Sequence, residues 1–447
     1  MMKTSSHPFS SHPHRTLIGL SIPVLISLTA EPITALVDTA FISSLGVIPL
    51  AALGVGTTAL SSLFWMFNFL GISTQTEIAQ AFGKGEPQDA GKIFSLATLL
   101  AAVFGLLLIL AFYPTANWLA GILGAAGDVQ SNAVSYMQIR LFGAPAVLLT
   151  LVAFGALRGQ QDMRTPLWIA LGINGLNILL DWAFIFGHGT FPVMGVAGSA
   201  LASTISQWLG TLVVIFLTAR KIGFSLKIEI REAARLLQVG GDLFVRTGLL
   251  NLFLAYTTRV ANELGADSGA AHQVIRQMWV FTALALDAFA ATVQSLVGYF
   301  MGQKSLSDAK HVVRVALIWS TGTGILLGTL MWAGRNLVIN WLVPAASVSV
   351  FLASWGVSAL SQPVNSLAFL TDGVHWGTGD YRYLRNAMII SSAAAILGTW
   401  YMERSGGGSL LWVWVLIGIW ITLRGGFGIV RIWPGIGKSP FRTTDQE

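Results

Sequence analysis

The amino-acid sequence predicts an all-α integral membrane protein whose twelve transmembrane helices form two six-helix lobes. Three observations predict this fold: an apolar composition, an uneven distribution of Lys and Arg, and an internal repeat. Of the 447 residues, 54% are hydrophobic and 10% are charged, whereas a soluble chain carries roughly 25% charged residues. A bilayer accepts this much apolar surface and water does not, so we expect a membrane protein.

Apolar stretches between Gly, Pro and charged residues define the expected helices. With about 20 apolar residues per span, the chain accommodates twelve. We predict spans at residues 17–44, 48–80, 93–112, 133–157, 166–186, 196–219, 239–263, 268–301, 312–333, 350–372, 384–402 and 409–427. The sixteen Trp residues suit the two membrane interfaces. The chain contains no Cys, which excludes disulfides and thiolate chemistry.

The distribution of Lys and Arg predicts the orientation. Of the 26 such residues, twenty lie in the tails or in alternate loops, and only Arg335 and Arg404 lie in the other loops. The positive-inside rule then places both termini in the cytoplasm, in a multi-pass protein of the inner (plasma) membrane. We expect a solvated, disordered N-tail (1–16), a cytoplasmic linker (220–238) and a cytoplasmic C-tail (428–447). Residues 225–237 of the linker are either a surface amphipathic helix or a plain connector.

A constant offset relates the two halves of the chain. Leu45-Gly46 recurs as Leu264-Gly265 at an offset of 219, and Asp162 recurs as Asp380 at an offset of 218. Because each copy holds six spans, the N-lobe (17–219) and the C-lobe (239–427) face the same way. This arrangement predicts a pseudo-two-fold axis along the membrane normal. Two similar lobes around a cleft suit transport by alternating access.

The chain shows no pattern that supplies enzyme chemistry. Gly437-Lys438-Ser439 is similar to the end of a phosphate-binding loop, but Ile432 stands where that loop requires Gly. Nucleic acid is not expected as a partner despite the net charge of +6, because Lys and Arg lie in short loops on one side of the spans. We therefore expect a transport protein without a cofactor, driven by a gradient of H⁺ or Na⁺.

Span one carries polar residues at a costly depth. Glu31, Thr34 and Asp38 are spaced by three and four residues and share one helix face. Pro32 removes a backbone hydrogen bond and permits a kink beside them. Asp38 lies roughly 30 Å along the helix at about 1.5 Å per residue, which is the outer half of the span. Acidic residues inside spans are candidates for function by default.

Span five carries Asn174, Asn177 and Asp181 at the same spacing. Asp181 also lies in the outer half of its span, so Asp38 and Asp181 can meet at a similar depth with the two amides beside them. A cluster of this kind suits the binding and release of a proton, and its oxygens would also suit Na⁺.

The second copy carries different polar residues. Asp287 lies in the middle of span eight and is the functional candidate of the C-lobe. Asp242 and Arg246 are four residues apart on span seven, which predicts an ion pair within that helix. The GxxxG pattern at Gly324 and Gly328 predicts close helix packing.

Several segments resemble the multidrug and toxic compound extrusion (MATE) family, and in detail its DNA-damage-inducible protein F branch. They are spread over nearly the whole chain and are the following: SIPVLISLTAEPITALVDTAFISSLG, NGLNILLDWAFIFG, GVAGSALAST, LALDAFA and QPVNSLAFLTDGVHWGTGDYRYLRNAM. The resemblance implies twelve helices in two lobes and antiport of H⁺ or Na⁺ against organic, often cationic, compounds.

The resemblance also implies roles for single residues. Asp38 and Asp181 match the acids of the cation site on helices one and five, and Asn177 matches the helix-five amide. Ser203 matches a helix-six hydroxyl, and Tyr136 matches a helix-four tyrosine.

Three residues depart from the family pattern. Glu31 stands where the branch often has Gln, Thr34 where some relatives have Tyr, and Ala288 where relatives commonly have Gly.

The sequence thus predicts an ion-coupled antiporter, with H⁺ as the coupling ion, that exports cationic or amphiphilic organic compounds. A Na⁺-coupled exporter and a lipid-type flippase are alternatives, and a non-transporting scaffold or channel is a rival of another class. The expected partners are a small organic substrate and the lipid bilayer, with the protein acting as a monomer. The only metal expected is Na⁺, at Asp38, Asp181 and Asn177.

Overall fold

The computed structural model describes residues 7–225 and 230–442, with the backbone alone for residues 230–235. Within these ranges the chain forms the helices α1 (Pro8–Ser11), α2 (Pro13–Ser43), α3 (Val47–Trp65), α4 (Phe69–Lys84), α5 (Pro87–Phe112), α6 (Ala116–Ile122), α7 (Gly127–Leu141), α8 (Ala144–Gly159), α9 (Arg164–Phe186), α10 (Gly195–Ile222), α11 (Ile230–Glu263), α12 (Ala266–Gly302), α13 (Leu306–Ala333), α14 (Arg335–Leu342), α15 (Val348–Leu360), α16 (Gln362–Thr378), α17 (Tyr381–Arg404) and α18 (Leu410–Ile432).

Fifteen of these helices build the twelve predicted spans, while the short helices α1, α6 and α14 lie outside them. Three spans are built from two helices each: α3 with α4, α7 with α8, and α15 with α16. In the described part of the chain, eight helices are long and apolar enough to cross a membrane, and the α7–α8 pair, bent by 48°, makes a ninth. Three spans remain: α11, α16 and α17 carry polar or charged residues, and α15 is apolar but short. The predicted all-α, twelve-helix fold is confirmed.

The outward faces of the long helices are apolar. Leu110 on α5, Trp168 on α9 and Phe216 on α10 expose 64%, 69% and 59% of their surface. A soluble protein rarely exposes contiguous apolar surface of this extent. The helices therefore carry the surface that contact with lipid requires.

The chain divides into two compact units, residues 22–240 and residues 241–447 together with 1–21. The division at 240/241 lies beside the predicted lobe boundary. The second unit also includes the first part of α2, which differs from the predicted N-lobe of 17–219. Residues 7–16, predicted to be a solvated, disordered tail, are helical over Pro8–Ser11 and again from Pro13. Phe9 is fully buried in one cluster with Val297 and Phe300, whereas most of the other residues of this segment are exposed. The prediction of disorder is therefore wrong for residues 7–16.

The same helix crossing occurs inside each unit. A Cβ at Gly155 would lie 2.3 Å from the carbonyl oxygen of Gly71, and a Cβ at Gly373 would lie 2.3 Å from that of Ala290. These pairs are related by the predicted offsets of 218 and 219. Each crossing therefore needs a residue without a side chain, as small-residue packing in membranes does.

The loops that follow the fourth span of each copy are also built alike. Asp162 accepts a hydrogen bond from Lys221 Nζ at 2.5 Å, and Asp380 accepts one from Arg431 Nε at 2.7 Å. In each unit an acid after the fourth span therefore binds a cation at the end of the sixth. The GxxxG prediction is confirmed as well, since Cβ atoms at Gly324 and Gly328 would lie 2.8 and 2.6 Å from carbonyl oxygens of Gln362 and Ala359.

The predicted ion pair within α11 is wrong. Asp242 accepts a hydrogen bond from Arg385 Nη1 on α17 at 2.5 Å, and Arg246 donates to Asp372 on α16. A four-residue spacing brings two side chains to one helix face, but stronger partners on neighbouring helices bind both of them. The predicted choice for residues 225–237 falls largely outside the described side chains. The backbone is already helical from residue 230.

Candidate cation-coupling site

Helices α2 and α9 bring the two predicted carboxylates together in residues 22–240. Asp181 is fully buried and Asp38 is partly buried. Their carboxyl groups face one another within hydrogen-bonding reach. Because two carboxylates in contact repel each other, this pair favours a bound proton or cation between them.

The pair has few other protein partners. Ser199 on α10 lies beside Asp181. Neither oxygen of Asp181, nor Oδ1 of Asp38, receives a hydrogen bond of standard geometry from a described residue. Buried carboxylates in folded proteins are normally satisfied by several donors. The arrangement therefore leaves hydrogen-bonding capacity for a proton or an ion.

Arg140 on α7 is the nearest positive charge. Its guanidinium acts electrostatically on both Asp38 and Asp181, and the Tyr136 hydroxyl lies beside it. One Arg next to two carboxylates leaves the group with an excess of negative charge when both acids are ionised. The sequence places Arg140 within a span without pointing to a role for it. Its spacing of four from Tyr136 was the available signal, since both share a helix face.

Local packing holds Arg140 in place. The chain bends by 48° between α7 and α8, where Gly143 lies and Pro145 opens the next helix. A Cβ at Gly143 would lie 2.9 Å from Arg140 Nη1, so a side chain there would compete with the guanidinium. Thr204 Oγ1 on α10 donates to the carbonyl of Ile139 at 3.2 Å and ties the end of α7 to α10.

A second polar pair lies on the same helices. Asn177 is buried on α9 and donates from Nδ2 to Ser203 Oγ on α10 at 3.3 Å. Asn177 and Asp181 are one turn apart, so the amide lies next to the acid pair along α9. Its carbonyl oxygen and the Ser203 hydroxyl are the neutral oxygens that Na⁺ would need in addition to the carboxylates.

Three of the predicted residues show no contact with the pair. Glu31 is exposed. Thr34 is buried and donates to the carbonyl of Ala30 at 3.1 Å. Asn174 donates to the carbonyl of Ala170 at 2.8 Å, which is again on its own helix.

The two remaining sequence candidates stand apart from the pair. Pro32 lies inside α2, which continues as one helix through it. Asp287 is half-buried on α12 in the other unit. The described residues contain no cluster of three or more His, Asp or Glu side chains arranged to hold a metal ion.

The second copy lacks this acid pair. The residues at the repeat offsets from Asp38 and Asp181 are Thr257 and Thr399. Both are fully buried, and they donate to the carbonyls of Leu254 and Ala395 on their own helices. The two copies share a helix scaffold, but the second copy does not repeat the acid pair.

Comparison with known proteins gives a clear family. The family model described as MatE matches residues 23–183 and 243–401, which are most of both copies. The chain belongs to the MatE family. It is therefore a membrane transporter of the multidrug and toxic-compound efflux type, a family of transporters and not of enzymes.

Individual relatives agree with this family. DNA damage-inducible protein F of Escherichia coli is 30% identical, with 95% of this chain and 93% of that protein covered. Protein DETOXIFICATION 44, chloroplastic, of Arabidopsis thaliana is 29% identical over 84% of this chain and 74% of its own length. The resemblance to the DNA-damage-inducible protein F branch is thus confirmed.

Solved structures share the fold at lower identity. A Vibrio cholerae MATE transporter, VcmN, matches with a TM-score of 0.88 at 20% identity over 98% of this chain and 100% of that one. A structure described as MATE in the bent conformation has a TM-score of 0.85 at 20% identity, covering 94% of this chain and 96% of its own. At this identity the likeness concerns the fold alone.

Proposed function

We propose that this transporter exports organic compounds in exchange for protons, and that the Asp38–Asp181 pair is the proton site. The observation that carries the proposal is the contact of a fully buried carboxyl group, that of Asp181, with the partly buried carboxyl group of Asp38, both with few protein donors. A proton shared by such a pair removes their repulsion and much of the cost of burying charge. Loss of the proton restores both costs, so proton occupancy changes the free energy of the site.

The proton drives transport through α2 in this proposal. Protonation from the outer side favours a bend of α2 at Pro32, which shrinks the cavity of the first unit and expels the substrate. Deprotonation towards the cytoplasm resets the helix. The energetic link is a difference in proton affinity between the two conformations. MATE structures described as bent and straight support such a change in this fold.

Other parts of the proposal follow the sequence. The transporter lies in the inner (plasma) membrane with both termini in the cytoplasm and acts as a monomer. Its substrates are small organic compounds of cationic or amphiphilic character. A Na⁺-coupled exporter is the second candidate, because Asn177 and Ser203 place neutral oxygens beside the carboxylates.

Everted membrane vesicles test the coupling ion. We expect an imposed pH gradient, and not an imposed Na⁺ gradient, to drive uptake of the cationic dye ethidium by wild-type vesicles. Uptake driven by Na⁺ alone would replace the proton with Na⁺ in the proposal. Absence of uptake under both gradients with several dyes would overturn ion-coupled export.

The same assay tests the site. Asp38→Asn keeps the size of the side chain and removes its titration, so we expect gradient-driven uptake to fall to background while the purified protein stays monodisperse. Asp181→Asn should behave alike. Because the two acids act as one unit, the double variant should be no worse than the worse single one. Wild-type uptake by a well-folded Asp38→Asn protein would refute the coupling role.

A further inference from the structure

Three helices of the second unit bring together a buried cluster of charges. Asp372 on α16 accepts hydrogen bonds through Oδ2 from Arg246 on α11 and from Arg424 on α18, the latter at 2.8 Å. The side chains of Arg246, Asp372 and Arg424 expose 7%, 5% and 4% of their surface. The sequence prediction includes Arg424 among the cytoplasmic cations, and the burial of this residue in α18 corrects that assignment.

The cluster carries an excess positive charge. Arg stays protonated in proteins, so two guanidinium groups share one carboxylate. The neighbouring acid Asp242 does not compensate, because it binds Arg385 at 2.5 Å. An uncompensated charge inside a membrane protein is expensive and marks a functional site by default.

The two arginines also keep free hydrogen-bond donors. Nε and Nη1 of Arg424 and Nε of Arg246 find no acceptor among the described residues. Aromatic rings lie against both groups: Trp376 is 5.3 Å from the Arg246 guanidinium and Trp420 is 4.4 Å from that of Arg424. Guanidinium groups beside aromatic rings suit an organic anion, whose carboxylate binds Arg while its apolar part contacts the rings.

The helix scaffold itself does not require this cluster. At the repeat offsets, Arg246 and Asp372 correspond to Ser27 and Phe154 of the first unit, and neither carries a charge. The same helices pack closely in both copies without the charges. The cluster is therefore a feature of the second copy alone.

We propose that Arg246 and Arg424 form an anion-binding site that accepts the carboxylate of an organic compound. The site would extend the transported compounds to those that carry a carboxylate, and to that extent it rests on the proposed export function. The first unit holds an acid pair, and the second unit holds an arginine pair. A lipid phosphate has the same chemistry and is the other source of such an anion.

Benzoate and benzamide test the site, because they share size and shape and differ in charge. We expect calorimetric titration of the purified protein in detergent to show saturable binding of benzoate and none of benzamide. Arg424→Gln leaves Arg246 and Asp372 as a balanced pair, so it should fold and bind benzoate at least about ten-fold more weakly. Arg424→Lys keeps the charge and should retain part of the affinity.

Arg404→Gln is the matched control, because it removes an exposed Arg that is stacked on Trp400. This variant should bind benzoate as wild type does.

The outcomes separate this site from the export proposal. Equal benzoate affinity in wild type and Arg424→Gln, equal binding of benzamide, or no binding of benzoate would overturn the anion site. Competition by added phosphatidylglycerol would support the anion site and make a lipid phosphate its occupant. Intact benzoate binding in a protein that shows no ion-driven uptake would support the site and count against export.

Discussion

Six of the acidic side chains of this protein occupy two kinds of environment. Asp162, Asp242, Asp372 and Asp380 each accept a hydrogen bond from a Lys or Arg. Asp38 and Asp181 instead face each other, with Arg140 acting on both. A paired acid keeps a fixed charge, whereas an acid facing another acid has a charge state that depends on its surroundings. This difference separates the structural acids from the coupling candidates.

Asp162 is a structural acid paired with Lys221, and it allows a prediction of how the stability of the protein depends on pH. Burial alone would raise the pKa of Asp162, but hydrogen bonds from Lys221 and Thr165 outweigh it and hold that pKa below its usual value of 3.8. A lowered pKa in the folded state contributes stability above the unfolded pKa and loses it as pH falls through the folded one. The contribution of Asp162 should therefore be complete at neutral pH and be lost progressively as the pH falls below about 4.

Thermal unfolding in detergent from neutral pH to about pH 3 checks this expectation. Asp162→Asn should lower the midpoint at neutral pH and should lose less stability on acidification than wild type does. Asp89→Asn is the control, because its ion pair with Lys92 is exposed at 47% and 36% of the two side chains and contributes little. A profile of Asp162→Asn parallel to wild type at every pH would contradict the assignment.

At the scale of helices, the internal repeat appears as a close helix–helix crossing that occurs at corresponding positions in both units. Gly155 meets the Gly71 carbonyl where α8 crosses α4, and Gly373 meets the Ala290 carbonyl where α16 crosses α12. The position one turn later repeats the pattern, since Cβ atoms at Gly159 and Gly377 would each lie 2.7 Å from a carbonyl oxygen. Without a strong hydrophobic drive between helices in lipid, such backbone contact is a main source of association.

A Cβ at these crossings should destabilise each unit. Gly155→Ala and Gly373→Ala place a methyl group 2.3 Å from a backbone oxygen, which cannot rotate away. We expect a loss of about 1–3 kcal/mol from overpacking, which exceeds the gain of about 1 kcal/mol from replacing Gly by Ala in a helix. The midpoint of thermal unfolding in detergent measures the difference.

The chain provides matched controls for this prediction. A Cβ added at Gly172 on α9 or at Gly322 on α13 would meet no atom within 4 Å. Gly172→Ala and Gly322→Ala should leave the midpoint unchanged or raise it slightly. If all four variants melted alike, the close crossings would not be the cause of stability.

Helix-level features were predictable where the signal is local. Apolar runs indicated every span, and spacings of three and four placed Asp38 and Asp181 on polar helix faces that could meet at a similar depth. The partners of Arg246 were not predictable, because Asp372 lies 126 residues away and local spacing favoured Asp242 instead. The burial of Phe9 was not predictable either, because the sequence around it is polar and does not indicate contact with Phe300, nearly 300 residues away. Sequence periodicity predicts which residues share a helix face, but it does not predict contacts between distant segments.

At the scale of the whole molecule, the orientation in the membrane stays a prediction. Removing the buried Arg424 from the loop cations leaves nineteen against two. On the poorer side, Arg335 begins the short helix α14 and Arg404 ends α17. Six spans in each copy return the chain to the side on which it started, so the repeat and the positive-inside rule agree.

Reporter fusions in bacteria decide the orientation. We expect green fluorescent protein fused after Glu447 to fluoresce and alkaline phosphatase fused there to be inactive, because phosphatase folds only outside the cytoplasm. A phosphatase inserted after Gly407, in the loop between α17 and α18, should be active and serves as the opposite control. Phosphatase activity at the C-terminus, with none after Gly407, would invert the whole orientation. The N-terminus would then also lie outside, and Asp38 would lie in the inner half of its span, where protonation from outside could not drive export.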